Sequence, residues 1–131
     1  MSVHTLRERR LTRFQLIALV VLTAMFGVSF AVSFLPDARW FFDYQLDKIM
    51  HGIASGALAT LFFPYTKNPW RVILGVSVVG AGFELLEAQF TPIAGYGGRM
   101  WYAIDTLLDI VVDTLGAVIA AKLLFSRFHP G

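Results

Sequence analysis

Asp105, Asp109 and Asp113 recur at every fourth position of the apolar stretch DTLLDIVVDTLGA. At 3.6 residues per turn, positions i, i+4 and i+8 fall on nearly one face of a helix. DKIMH sets Asp47 and His51 one turn apart with Lys48 beside them, and FELLEAQF offers Glu84 and Glu87 at i, i+3 with Gln89 nearby. Arg99 follows a pair of glycines. Such groups support three kinds of chemistry. His51, Glu84, Glu87, Asp109 and Asp113 are suitable ligands for a divalent cation, which would activate water against a phosphoester or amide. Arg99, as a planar fork, and Lys48, as a point charge, suit a phosphate. The aspartate ladder offers steps for a proton.

Each feature also has a plainer explanation. An Asp-x-x-x-His pair is often a hydrogen bond within a helix. Asp105 suits an N-terminal cap. Glu84 and Glu87 would face water if they sat at a shallow interface. Asp109 and Asp113 would serve as polar glue between helices at ~0.6 kcal/mol each. No catalytic residue is assigned from spacing alone, and the di-iron pattern Glu-x-x-His is absent.

The elements that must position these groups are apolar. The chain has 131 residues, is 56% hydrophobic and only 15% charged, and its mean hydropathy is +0.64. Ordinary domains are nearer a quarter charged, so a lipid bilayer is the expected surrounding. Four segments are each about long enough to cross ~30 Å of hydrocarbon, over residues 14–35, 44–63, 72–90 and 102–125. The first carries no charge and follows the basic MSVHTLRERRLTR; its length and the lack of an A-x-A site favour a retained span over a cleaved signal peptide. Pro36, Pro64, Pro69 and the stretch TPIAGYGGR mark the connections. One domain over 1–131 is expected, all-α and polytopic. Cysteine is absent, which excludes disulfides, thiol nucleophiles and thiolate metal sites.

Four spans put both termini on one side. That side holds Arg7, Arg9, Arg10, Arg13, Lys67, Arg71, Lys122 and Arg127, and the other holds Arg39, Lys48 and Arg99. The positive-inside rule then predicts cytoplasmic N- and C-termini. Trp40, Trp70 and Trp101 fall at the expected interfaces, as amphipathic indoles prefer. The net charge of +2 would suit nucleic acid, but this one-sided distribution of the charges argues against it. Among the acids only Glu8 falls on the cytoplasmic side; Asp37 and Asp43 lie in the outer loop, and the other six lie in the outer parts of the spans. An ionisable group at the centre of a span costs at least ~2.5–3.5 kcal/mol, so protonation, a cation or penetrating water must compensate the convergent acids. Gly52-x-x-x-Gly56, with Ser55 and Ala59, and Gly116, with Gly80 and Gly82, suit close helix packing. His4 and His129 are read as tail residues.

In order and placement these motifs resemble the VanZ-like family of small bacterial membrane proteins. The matching positions are Asp47-Lys48-x-x-His51, Glu84-x-x-Glu87, Gly98-Arg99 and Asp109-x-x-x-Asp113-x-x-Gly116, within about residues 44–120. Glu87 stands where the family tends to have glutamine and Asp113 where it tends to have asparagine, so this copy of the site is more acidic. The resemblance implies a multi-pass protein of the bacterial inner membrane with a role in the cell envelope. The family's namesake is associated with resistance to the glycopeptide antibiotic teicoplanin. The leading expectation is an outward-facing pocket formed by Asp47, Lys48, His51, Glu84, Glu87, Gln89, Arg99, Asp105, Asp109 and Asp113. It would bind a lipid-linked wall precursor or a phospholipid head group, with a divalent cation as candidate cofactor. A metal-dependent hydrolase acting on an envelope lipid and a proton- or ion-coupled transporter are the alternatives.

Overall fold

The computed structural model describes residues 3–33, 45–66, 68–90 and 98–128. They form four helices: α1 (Val3–Ser33), α2 (Leu46–Phe62), α3 (Pro69–Phe90) and α4 (Arg99–Phe128), with a 3-10 turn at Phe63–Tyr65 after α2. There is no strand among the described residues. Two helices are long and apolar enough to cross a membrane, α1 over Thr12–Ser29 and α3 over Pro69–Gln89.

Local chemistry moves the helix ends away from the sequence expectations. The second connection was expected to continue past Pro69, whereas Pro69 opens α3. Asn68 makes this start: its Oδ1 accepts the Trp70 N–H at 2.9 Å, and its own N–H donates to Thr66 Oγ1 at 3.1 Å. Proline suits the first helical position, where its missing N–H has no partner to lose. Arg99, expected in a loop, is the first residue of α4, and the Gly98 carbonyl accepts the Tyr102 N–H at 3.2 Å. Gly98 has φ +119°, a conformation that glycine takes without steric cost. The basic segment before the first span is helical from Val3, so His4 lies in α1. The expected bounds at Leu35, Pro36 and Tyr44, most of the TPIAGYGGR loop, Asp37, Arg39, Trp40, Asp43, Lys67 and His129 lie outside the described residues.

Neighbouring helices run antiparallel, so the start of α2, the end of α3 and the start of α4 share one end of the bundle. Contacts along the chain fix this register. Phe62 at the end of α2 lies against Gly75 near the start of α3; Ser77 and Thr114 hydroxyls meet at 3.1 Å; Phe14 of α1 stacks edge-on with Phe128 of α4, centroids 5.9 Å apart. α2 is central and touches the other three helices.

The closest approach is between α2 and α4. A Cβ built on Gly116 would lie 2.5 Å from the Gly52 carbonyl oxygen, so the two backbones nearly touch there. Gly56 faces the same crossing, with Gly116 O and Ala120 Cβ each 3.9 Å from its hypothetical Cβ. Gly82, expected to pack a helix face, has nothing within 4 Å of its hypothetical Cβ. Below the crossing, Ala59, Val72, Val76, Ala117 and Ala121 make a small apolar core. At the basic end, Phe63, Leu124 and Phe128 form a second cluster with Phe14 and Phe125 against it.

Large apolar side chains face outward on every helix, among them Leu16, Ile17, Ile53, Leu74, Leu85, Leu107, Leu115 and Leu123. Buried positions instead include Lys48, Glu84, Asp109 and Asp113. Water would favour the reverse arrangement.

Candidate functional site

Lys48 sits in the first turns of α2, where it is 9% exposed. Its ammonium donates to Asp47 Oδ2 at 2.8 Å and to Asp105 Oδ1 at 2.6 Å. Asp109 Oδ1 lies 2.7 Å away, close enough for an ion pair but not aligned as a hydrogen bond. The fourfold spacing of α4 brings Asp105 and Asp109 to the same ammonium, and the α2–α4 crossing sets the distance. One positive charge faces three carboxylates.

One turn deeper, His51 links α2, α3 and α4. Its Nδ1 lies 3.2 Å from Asp113 Oδ1, and its Nε2 lies 3.7 Å from both Glu84 Oε1 and Asp109 Oδ1. Ser55, one turn further along α2, donates to the same Asp113 oxygen at 2.5 Å. The Phe83 ring meets the imidazole edge-on, centroids 6.4 Å apart. Asp113 is therefore held by two groups of α2, while Gly80 of α3 leaves room for its other oxygen. A Cβ on Gly80 would clash with Asp113 Oδ2.

Asp47, His51, Glu84, Glu87, Tyr102, Asp105, Thr106 and Asp109 line a cleft of about 30 Å³. That is room for about two waters or one ion. Three carboxylate oxygens of its walls, Asp47 Oδ1, Glu84 Oε1 and Asp109 Oδ1, are buried with no hydrogen-bond partner among the described residues, and Asp109 Oδ1 has the ion pair with Lys48. Among the described residues, two groups of three bring one ligand atom per residue within 4.8 Å of one another: Asp47 with Asp105 and Asp109, and His51 with Glu84 and Asp109. The Lys48 ammonium occupies the first.

Comparison with protein-family models, curated proteins and solved structures gave no match. The functional reading rests on this cleft.

The ten expected pocket residues divide into three groups. Asp47, His51, Glu84, Glu87, Asp105 and Asp109 meet in the cleft. Lys48 and Asp113 lie behind it as partners of its walls. Gln89 and Arg99 do not join them. Gln89 is exposed, and among the described residues its amide reaches the Leu85 carbonyl one turn back, at 3.5 Å. Arg99 is exposed at the start of α4. The expectation that Lys48 would meet a ligand phosphate is corrected: three acids hold its ammonium within the protein. Of the expected metal ligands, His51, Glu84 and Asp109 come together; Asp113 faces the other imidazole nitrogen, and Glu87 lines the wall.

Tyr102, Thr106 and the Ser55 contact with Asp113 were missed. Tyr102, Thr106, Asp109 and Asp113 are spaced i, i+4, i+7 and i+11, one helical face, so the fourth span already contained that signal. Gly80 was read only as a packing residue, and its fit to Asp113 depends on how α3 and α4 are rotated. Gly80→Ala is expected to push Asp113 from Ser55 and His51 and to cost about 1–3 kcal/mol, as overpacking does. Gly82→Ala, with open space around it, should leave stability unchanged or slightly raised. Thermal unfolding in detergent micelles compares the two; equal midpoints would refute the fit.

Proposed function

We propose that this chain is a VanZ-like, multi-pass protein of the bacterial inner membrane. All four helices cross the bilayer as one domain over 1–131, with both termini in the cytoplasm. The cleft faces outward and binds the polar head group of an envelope lipid, either a phospholipid or a lipid-linked wall precursor. The observation that carries this reading is the convergence of six acidic and imidazole side chains, from α2, α3 and α4, at one end of a bundle whose outside is apolar. Such a bundle is soluble in lipid and recognises polar groups at one of its ends.

The cleft is too small to swallow a head group, so the ligand seats at its mouth. The carboxylates accept hydrogen bonds from hydroxyl or ammonium groups, and Arg99 stands ready for a phosphate. A glycopeptide-resistance-like role follows from the family resemblance. Beyond the cleft, Ala59, Val72, Val76, Ala117 and Ala121 fill the bundle, which favours binding over transport through the chain. A metal-dependent hydrolase is the second reading, favoured by the His51–Asp113 pair.

Equilibrium binding of a water-soluble, short-chain phospholipid to the protein in nanodiscs tests the proposal. Arg99→Ala should weaken binding roughly 10–100-fold, the loss of one charge-assisted contact of ~1.5–3 kcal/mol. Glu87→Gln combined with Asp105→Asn should weaken ligands with amine or hydroxyl head groups more than a phosphate-only ligand. Unchanged affinity in both variants would overturn head-group binding at this cleft.

A further inference from the structure

We propose that His51, Glu84 and Asp109 form a binding site for one divalent transition-metal ion of the Zn²⁺ class. Three helices deliver one ligand atom each from His51, Glu84 and Asp109, within 4.8 Å of one another. Glu84 Oε1 and Asp109 Oδ1 each lie 3.7 Å from His51 Nε2. Around a tetrahedral ion with bonds of ~2.1 Å, neighbouring ligand atoms stand about 3.4 Å apart. The two nitrogen–oxygen separations need to close by only about 0.3 Å to reach that value.

The independent sign of a ligand is Glu84. Its side chain is 4% exposed, it lines the cleft, and its Oε1 has no hydrogen-bond partner. A buried carboxylate oxygen without a donor is costly. The imidazole sharpens the argument. When Nδ1–H donates to Asp113, the neutral ring presents the Nε2 lone pair to two carboxylate oxygens. Three acceptors then face one another, with the Lys48 ammonium beside Asp109 Oδ1 alone, and a cation among them satisfies Glu84 Oε1 and the imidazole nitrogen.

Asp113 has the place that a supporting carboxylate takes behind a metal-bound histidine, fixing tautomer and ring orientation. Ser55 and Gly80 fix Asp113 in turn. The Lys48 ammonium lies 2.7 Å from the same Asp109 oxygen, so that oxygen is shared between the ammonium and the ion. The donor set of one imidazole and two carboxylates suits a borderline ion better than Ca²⁺ or Mg²⁺, which favour all-oxygen sites. Three protein ligands leave a fourth position toward the cleft, the arrangement of zinc sites that accept water or substrate. The site does not depend on lipid binding.

The test uses the full chain in detergent micelles, stripped with chelator, loaded with Zn²⁺ and desalted before elemental analysis. Loading with Co²⁺ in parallel reports the ligand field through its visible absorption. The wild type should retain one ion per chain and show a cobalt spectrum of nitrogen and oxygen ligation. His51→Ala and Glu84→Gln should lose stoichiometric retention. Asp113→Asn should retain the site with affinity lowered roughly 10–100-fold, as for a supporting partner. Gln89→Ala, at an exposed position outside the cleft, should bind as the wild type does. Size-exclusion profiles and helical circular dichroism identify variants that fail to fold, and Glu84→Gln, nearly isosteric, is the decisive one. A wild type that retains no ion, or a folded Glu84→Gln protein that retains one at wild-type affinity, would overturn the site. Loss of head-group binding with metal retained would instead count against the proposed function alone.

Discussion

A Lys48→Met protein is expected to be about 3–5 kcal/mol less stable than the wild type, the usual cost of removing one partner from a buried ion pair. The side chain of Lys48 is 10% exposed, and its ammonium is within 2.8 Å of Asp47, 2.6 Å of Asp105 and 2.7 Å of Asp109. Methionine keeps most of the volume and removes the charge. Three carboxylates are then left to repel one another across the α2–α4 interface. Adding Asp105→Asn and Asp109→Asn to the methionine variant should restore much of the loss, because it removes the repulsion that the lysine had balanced. Lys48→Met alone separates this account from a packing effect only when compared with that triple variant. Unfolding midpoints in a graded series of denaturing detergent make the comparison. If the triple variant is no more stable than Lys48→Met, the carboxylate cage is not what Lys48 supports.

Gly116→Ala should be comparably damaging although it adds a single methyl group. That methyl would stand 2.5 Å from the Gly52 carbonyl oxygen and 3.2 Å from the Gly52 Cα. Both are backbone atoms, so no rotamer change relieves the clash and the helices must separate. Overpacking of a core costs about 1–3 kcal/mol, and this displacement also draws His51 away from Asp113 and Lys48 away from Asp105 and Asp109. Gly27→Ala is the control, since nothing lies within 4 Å of a Cβ there; it should match or exceed the wild type, alanine being the better helix former. Thermal unfolding should separate the two alanine variants by several degrees, and equal midpoints would mean that α2 and α4 do not cross at these glycines.

The helices were legible because their apolar runs are long and their breaks carry proline and glycine. Their ends were not, because caps are local events. Pro69 reads as a stop until Asn68 is seen to cap the turn that it opens. Within the site, the α4 spacing foretold that Asp105, Asp109 and Asp113 share a face. It did not say that each would find a different partner, Lys48 for the first, Lys48 and His51 for the second, and His51 with Ser55 for the third. Those pairings depend on helix rotation and on the depth of the glycine crossing, which no single segment encodes. Gln89 was an avoidable error. At ~100° per residue it points about 140° away from Glu84 and 200° from Glu87, so proximity in sequence was misleading. Lys48 misled for another reason: a cation beside acids reads equally well as a hand held out to a ligand or as an internal counter-ion, and only the distances decide.

The helix lengths have a consequence for the proposed bilayer setting. α2 has 17 residues and at 1.5 Å per residue spans about 26 Å, less than the ~30 Å of an average hydrocarbon layer. α4, with 30 residues, spans about 45 Å. The shorter helix begins two residues before Lys48, beside the cleft. In the proposed bilayer setting, lipids next to α2 must thin or tilt at that end, at a cost of fractions of a kcal/mol per Å. Hydrophobic mismatch would thus lower the nearest head groups toward the acids, and thinner membranes should be the protein's preferred host.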